Sequence, residues 1–408
     1  MRQISQPSRR SVLKTLATAI AAPWVVPRTA LGADGKTAPS DRIVMGCIGM
    51  GGRGRGDMGA ALNFGEVQIV AVCDVVQRNR GAAKAQVDKK YGNTDCMDYN
   101  DFREITSRPD IEAILIGTPD HWHAIISCEA MKRGKDVYCE KPETLTVREG
   151  RIMVETARRY ARVFSGGSQR VWGDYNWFHR MIWGGAIGEV KEAWVDCWGP
   201  SEPCDLPPEP IPPGLDWDMW LGPAPWAPFN RGRLNFRRWR DYSGGGMTDW
   251  GAHNFGGALF AMRLHQTGPV EIIPPDGKDN PLLTFVFANG VRMHHKGGWG
   301  GNMCFRGTLG EIPPRGGKKT RLDPPSIYIS NYKGSGGIFG DFLHCVRTRE
   351  LPFRDIEVAH RTVTVCHLGN LAYWLGRPLK WDPEKEEILG DPDASRWLDR
   401  PKREPWTL

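Results

Sequence analysis

Between residues 41 and 165 the apolar positions follow two alternating patterns. Short runs rich in β-branched residues, at 43–48, 67–73, 113–117, 136–139 and 163–165, read as strands. The longer stretches between them, at 54–63, 77–91, 123–133 and 147–160, carry apolar residues at helical spacing. Strict alternation of strand and helix is the signature of βαβ units on a parallel sheet. It sets the loops after the strands along one edge, where they converge on a ligand.

From residue 166 the alternation stops, and tryptophan and glycine become frequent. The stretch "VKEAWVDCWGP" has period two, with Trp194, Asp196 and Trp198 on one face and Ala193, Val195 and Cys197 on the other. "LLTFVFANGVRMHHK" predicts two strands joined at Asn289-Gly290, where both positions tolerate positive φ. The expected fold class is α/β plus α+β: a βαβ domain on a parallel sheet over 41–165, then a domain over 166–380 with a largely antiparallel sheet and helices on one face. Residues 199–230, rich in proline and tryptophan, are expected as a long ordered loop, 311–324 as a solvated loop, and 381–408 as an irregular tail.

Composition changes this picture at one end only. The formal charge of +7 comes from 54 basic and 47 acidic residues, but five basic residues (Arg2, Arg9, Arg10, Lys14, Arg28) and no acid fall within 1–32. The remainder is nearly neutral, so charge gives no reason to expect a nucleic-acid partner. The "SRRSVLK" run at 8–14, the apolar "TLATAIAAPWVV" and the small-residue pattern Ala30-Leu31-Gly32 read as a twin-arginine export signal, and hence a periplasmic or otherwise exported protein. The apolar run is too short to span a bilayer, and no later stretch approaches a membrane helix. Ten cysteines are present without a CxxC pair, and Cys47, Cys73 and Cys139 lie in apolar strand positions as small hydrophobes.

Three constellations carry chemistry. In "RIVMGCIGMGGRGRG", Gly49, Gly51 and Gly54 form GxGxxG after a strand and before a helix, with Met50, Gly52 and Arg53 in the same turn. Asp74 ends the second strand about twenty residues on, placed to bind ribose hydroxyls. A carboxylate there repels a 2′-phosphate, which favours NAD over NADP. The second is "DVYCEKP", which delivers Glu140 and Lys141 to the carboxyl end of a parallel strand. The third is Asp249 with His253, whose spacing puts both on one helix face, so that the carboxylate can hold one imidazole nitrogen and leave the other free as a base. Gln169 follows the last strand of the first domain and is expected to face the nicotinamide or the substrate. His121 and His123 have no further ligand at recognisable spacing, and no metal site is expected. Trp172, Trp217, Trp220 and Trp226 either line a carbohydrate cleft or pack the long loop.

The ordered set "GTPDHWH", "EKP", "GAIGEV" and "GGGMTDWGAH", following the glycine turn, resembles the glucose-fructose oxidoreductase, inositol dehydrogenase and MocA group (Gfo/Idh/MocA) over most of the chain. The resemblance implies a Rossmann domain followed by a domain with an open-faced sheet, a bound nicotinamide cofactor, a sugar, polyol or glycoside substrate, and dimers or tetramers formed through the second domain's sheet. It implies that Lys141 approaches nicotinamide and reacting hydroxyl, that Asp249 and His253 act with it in catalysis, and that Thr118, Pro119 and His123 belong to the cofactor loop. A cis bond before Pro142 is also implied. Many members carry an acid three positions after the histidine, where this chain has Gly256. Some members oxidise only transiently and eliminate a glycosidic substituent, so a glycoside-cleaving reading stays open beside the dehydrogenase one, as does a non-catalytic sugar-binding protein.

Overall fold

The computed structural model describes residues 37–298, 302–313 and 325–408. The export signal expected at 1–32 and residues 314–324 of the expected solvated loop lie outside the described residues. The chain forms two units, Met1–Arg42 and Ile43–Leu408. In the first, one 3-10 turn covers Pro39–Asp41. All that follows concerns the second.

Its amino-terminal half is a six-stranded parallel sheet of β1 (Ile43–Ile48), β2 (Val67–Cys73), β3 (Met97–Tyr99), β4 (Ala113–Ile116), β5 (Asp136–Cys139) and β6 (Phe164–Gly166), in the order β3-β2-β1-β4-β5-β6. β4 and β5 are buried throughout, as strands covered on both faces must be. The helices are α1 (Gly52–Ala61), α2 (Gln77–Tyr91), α3 (Phe102–Thr106), α4 (Asp120–Lys132) and α5 (Val147–Arg159). α1 and α4 begin two and three residues before the expected starts, because glycines and a post-proline acid carry no apolar signal. α5 begins at a capping box, Thr146 with Glu149. β3 and α3 are too short and polar to have been foreseen.

The second half contains α6 (Arg170–Gly173), α7 (Asn176–Trp183), β7 (Val190–Val195), α8 (Trp217–Leu221), α9 (Gly246–Asp249) and α10 (Gly251–Ala261). There follow β8 (Glu271–Ile273), β9 (Leu283–Val286), β10 (Arg292–His295), β11 (Met303–Gly307), β12 (Glu311–Ile312), α11 (Gly337–Thr348), α12 (Ile356–Leu375), β13 (Leu379–Asp382) and β14 (Glu387–Ile388). The eight strands run β12-β11-β7-β10-β9-β8-β13-β14; the β7–β10 pair is parallel and the other pairs are antiparallel. The period-two reading of β7 is correct: Ala193, Val195 and Cys197 are buried with Phe285, Met293 and Phe305, against Phe255 and Leu259 of α10 and Leu368 of α12. In the β9–β10 turn Gly290 takes φ 83°, while the Asn289 side chain accepts from the Val291 amide.

The loop expected at 199–230 is ordered, and with its continuation to 240 it forms a strap across the first domain. Gly214 O accepts from the Gln77 amide at 2.8 Å, Val75 O accepts from the Asp216 amide at 3.0 Å, and Asn100 donates to the Asp216 carboxylate at 2.8 Å. Beyond these, Trp122 Nε1 donates to Met219 O at 3.1 Å, and His121 Nε2 meets Trp220 O at 3.0 Å. Trp217 and Trp220 stack on each other with ring centroids 4.8 Å apart, so Trp217 packs the strap itself, whereas Trp226 is 70 % exposed. Gly222 is required twice over: its φ is 50°, and a Cβ there would lie 2.1 Å from the Trp122 ring.

Residues 381–408 correct the expectation of an irregular tail. β13 and β14 extend the second sheet, and Trp406 returns to the first domain, edge-on to Trp122 at 4.7 Å and near Phe102. Polar and proline-rich spacing had hidden this anchor. Trp406→Ala is expected to destabilise the protein by about 3 kcal/mol, read as a lowered urea midpoint at unchanged slope; no shift would show that the terminal anchor carries no stability.

Candidate active site

One cavity of about 290 Å³ runs along the carboxyl edge of the parallel sheet beneath the strap. Its floor at one end is the β1–α1 turn. Gly51 and Gly52 have open space where a side chain would be, while a Cβ on Gly54 would lie 2.0 Å from Gly49 O, so this turn closes only around glycine. Amides at the start of α1 are free to meet a pyrophosphate. Beside them Asp74 accepts from the Val76 amide at 2.8 Å and from Asn79 at 3.4 Å. Burial pushes its carboxyl up, and hydrogen bonds from Val76, Asn79 and the Met50 amide oppose that. Glycine cradle, helix start and strand-end carboxylate lie in one continuous cavity and fit a dinucleotide.

At the other end stands Lys141. Its Nζ donates to Asp249 Oδ1 and to Asp249 O, both at 2.7 Å, with both side chains largely buried. The Lys141-Pro142 bond is cis. Arg237, from the strap, donates through Nε to the same Asp249 Oδ1 at 2.9 Å. Although burial works against its charge, Lys141 and then Arg237 hold the Asp249 carboxyl below its ordinary range. This corrects the expectation that Asp249 orients His253. Asp249 ends α9, Trp250 stands between the two helices, and the carboxylate turns to two cations instead of a neutral ring because charge-assisted hydrogen bonds are the stronger. His253 Nδ1 is buried with no partner among the described residues, and burial, then the Lys141 charge, hold its imidazole well below the ordinary range. The ring is therefore neutral, with a lone pair to offer as a base.

The predicted residues divide in two. Gly49, Gly51, Gly52, Arg53, Asp74, Thr118, Pro119, Glu140 and Lys141 line the cavity. Met50, Gly54, His123, Gln169, Asp249 and His253 stand behind or beside it. Glu140 neither orients Lys141 nor stands free: it pairs with Arg53 at 2.8 Å, and Arg53 also pairs with Asp57 at 2.9 Å. Burial, and then Glu140, push the Asp57 carboxyl up. His123 is a brace whose ring nitrogens lie 2.7 Å from Pro142 O and 2.9 Å from Thr118 O. Burial lowers it to about 4, so the neutral ring donates to one carbonyl at a time and ties the cofactor loop to the Lys141 turn. Gln169 accepts from Tyr332 through its main-chain carbonyl, and its Oε1 is buried with no partner among the described residues. Gly256 has a packing reason: a Cβ there would lie 3.0 Å from Val171 and 3.2 Å from Thr362.

Trp220, one of the tryptophans considered for a cleft, lines the cavity; sequence reading missed Arg237, Asp120 and the strap residues Met219 and Phe236 that complete its wall. Arg237 sits in a run of arginines with no motif around it. Asp120 lay inside "TPDHWH" unremarked; it is buried, its Oδ2 has no partner among the described residues, and burial pushes it up to about 7.

A nucleotide cleft ending on a lysine–carboxylate pair defines a dinucleotide-dependent oxidoreductase. Two family models match: "Oxidoreductase family, NAD-binding Rossmann fold" over residues 43–168, and "Oxidoreductase family, C-terminal alpha/beta domain" over 187–292 and 318–408. The chain belongs to this GFO/IDH/MocA oxidoreductase family. Among curated relatives, a glycosyl hydrolase family 109 protein of Shewanella sp. (strain W3-18-1) is 34 % identical over 137 residues, 33 % of this chain; the match spans 30 % of that relative's length. Similar solved structures include myo-inositol dehydrogenase from Lactobacillus casei with NAD(H) and myo-inositol, at TM-score 0.57 and 14 % identity, covering 87 % of this chain and 99 % of that one. Aldose-aldose oxidoreductase from Caulobacter crescentus with glycerol gives TM-score 0.57 and 17 % identity, covering 83 % of this chain and 99 % of that one.

The neutral His253 has a direct check. NMR of the imidazole ring is expected to show no protonation of His253 as pH falls through the ordinary value of about 6.5, because a lowered pKa moves proton uptake to more acid pH. A midpoint near 6.5 would contradict the burial argument.

Proposed function

We propose that this protein is an exported, NAD-dependent dehydrogenase that oxidises or reduces a sugar, polyol or glycoside with a tightly held cofactor. The observation that carries the reading is the Lys141–Asp249 pair closing one end of a cavity whose other end is the glycine cradle and Asp74. A bound nicotinamide supplies the acceptor for the hydride leaving the carbinol carbon. His253, neutral and buried, takes the hydroxyl proton. Lys141 donates a hydrogen bond to the same oxygen as negative charge develops there, and Asp249 fixes the lysine's position. Asp74 supports NAD over NADP, since its carboxylate repels a 2′-phosphate.

The strap supports tight retention, because its bonds to the β2–α2 segment and to α4 lie over the cleft. Export rests on the arginine pair and apolar run at 8–26, and a cofactor loaded before export suits a compartment poor in free nucleotide. Among the described residues, no helix is long and apolar enough to cross a membrane. The half-buried Trp194, stacked on His294 on the face of the second sheet away from its helices, supports assembly into dimers or tetramers through that face.

The 137-residue kinship with proteins named as glycosyl hydrolases favours a second reading, in which oxidation is transient, a glycosidic substituent is eliminated and the hydride returns. Incubation with a model glycoside in deuterium oxide separates the two, since only elimination exchanges the neighbouring carbon-bound hydrogen.

Mass spectrometry of nucleotide released on denaturation is expected to find NAD, and a sugar and polyol panel is expected to give reduced cofactor by absorbance. Lys141→Ala should lower kcat/KM by about 100-fold or more. Purified protein that neither carries nor binds nucleotide, or unchanged turnover in Lys141→Ala, would defeat the assignment.

A further inference from the structure

Arg237 is a charged group that the strap brings onto Asp249, beside Lys141, without an evident need of its own. Asp249 is already ionised and bound by Lys141, yet the same Oδ1 accepts Arg237 Nε at 2.9 Å. A single carboxylate oxygen thus serves an ammonium and a guanidinium, and the trio keeps a net positive charge. Nearby acids do not remove it. Glu140 is taken by Arg53, and Asp120, pushed up to about 7 by burial, carries only part of a charge at neutral pH.

The geometry of the guanidinium matters as much as its charge. Its carbon lies 4.6 Å from the centre of the Phe236 ring, which fixes the plane. Nε is used by Asp249, and among the described residues neither terminal nitrogen makes a hydrogen bond; the side chain is 48 % exposed and lines the cavity. The two terminal nitrogens left over form the two-pronged edge that matches a carboxylate, on a side chain that lines the cavity. Because Lys141 Nζ and Arg237 Nε share one oxygen, they lie within two hydrogen-bond lengths of each other. An anion on Arg237 is therefore close to a hydroxyl on Lys141.

We propose that the substrate is a sugar acid, its carboxylate seated on Arg237 and lying one or two carbons from the hydroxyl held by Lys141. This rests on the dehydrogenase reading above and deepens it. Neutral polyols leave the two prongs to water, whereas hexuronates and aldonates fill them. Arg237 then discriminates among substrates, and its bond to Asp249 keeps the discriminating edge at a fixed distance from the reacting carbon.

The test uses the NAD-loaded protein with glucose, glucuronate, galacturonate and gluconate, following cofactor reduction. Relative to glucose, at least one acid is expected to have about 30-fold higher kcat/KM. That acid-to-neutral ratio should fall by a similar factor in Arg237→Gln and recover in part in Arg237→Lys. Using the ratio cancels any general loss transmitted through Asp249. Calorimetric binding of the acids to loaded wild type and Arg237→Gln gives a readout without turnover, and no acid binding to wild type overturns the proposal. Nucleotide content after denaturation should match wild type in Arg237→Gln. Loss of nucleotide would put the cofactor's phosphates on Arg237 and overturn it too. If glucose reduces the cofactor and the acids do no better, the carboxylate assignment falls while the dehydrogenase reading stands. If acids bind but no compound on a wider panel is turned over, it is the dehydrogenase reading that falls.

Discussion

Asp249 Oδ1 is the point on which this molecule turns. It accepts from Lys141 at the end of β5 and from Arg237 in the strap, while its own backbone ends α9. Three segments, one of them 108 residues before Asp249 and another 12 residues before it, are fixed to one oxygen in a largely desolvated place. A largely buried carboxylate is held ionised by these charge-assisted bonds, so each segment constrains the other two. The relative placement of Rossmann cleft, strap and second domain near the chemistry follows from that arrangement.

A second layer keeps the first in place, partly at the cavity wall and partly behind it. His123 joins Thr118 to Pro142, Arg53 joins α1 to Glu140, and Gly256 lets α10 approach α6. His123 holds backbone where pattern alone assigns it to the cofactor, Arg53 holds a carboxylate, and Gly256 leaves room for packing. Site precision here comes from residues one step removed, as expected when geometry must hold within fractions of an ångström.

Most of the first domain is legible in sequence because both of its signals are periodic and local. β-branched runs give strands, amphipathic stretches give helices, and Gly49 to Gly54 with Asp74 are tied to those elements by fixed spacing. Lys141 follows from its place at a strand end. What escaped has no local signal. Arg237 sits in a single 3-10 turn, Phe236–Arg238, and Trp406 in an irregular segment, so no periodicity marks either, and the Asp249–His253 pairing was inferred from helix spacing when a competition among charges decided it. Spacing tells which groups are neighbours; it does not tell which neighbour offers the stronger bond.

The strap has a kinetic meaning as well as a structural one. Residues 214–222 hold the rim of the cleft through main-chain bonds to the β2–α2 segment and to side chains of α4, with little helix of their own. A molecule beneath them leaves when those few bonds open together, a local unfolding whose free energy lies below that of the whole domain. Residence time in the cleft is thus set by the stability of a protein segment in addition to the contacts of the ligand, and changes to the strap far from any ligand atom can lengthen or shorten it.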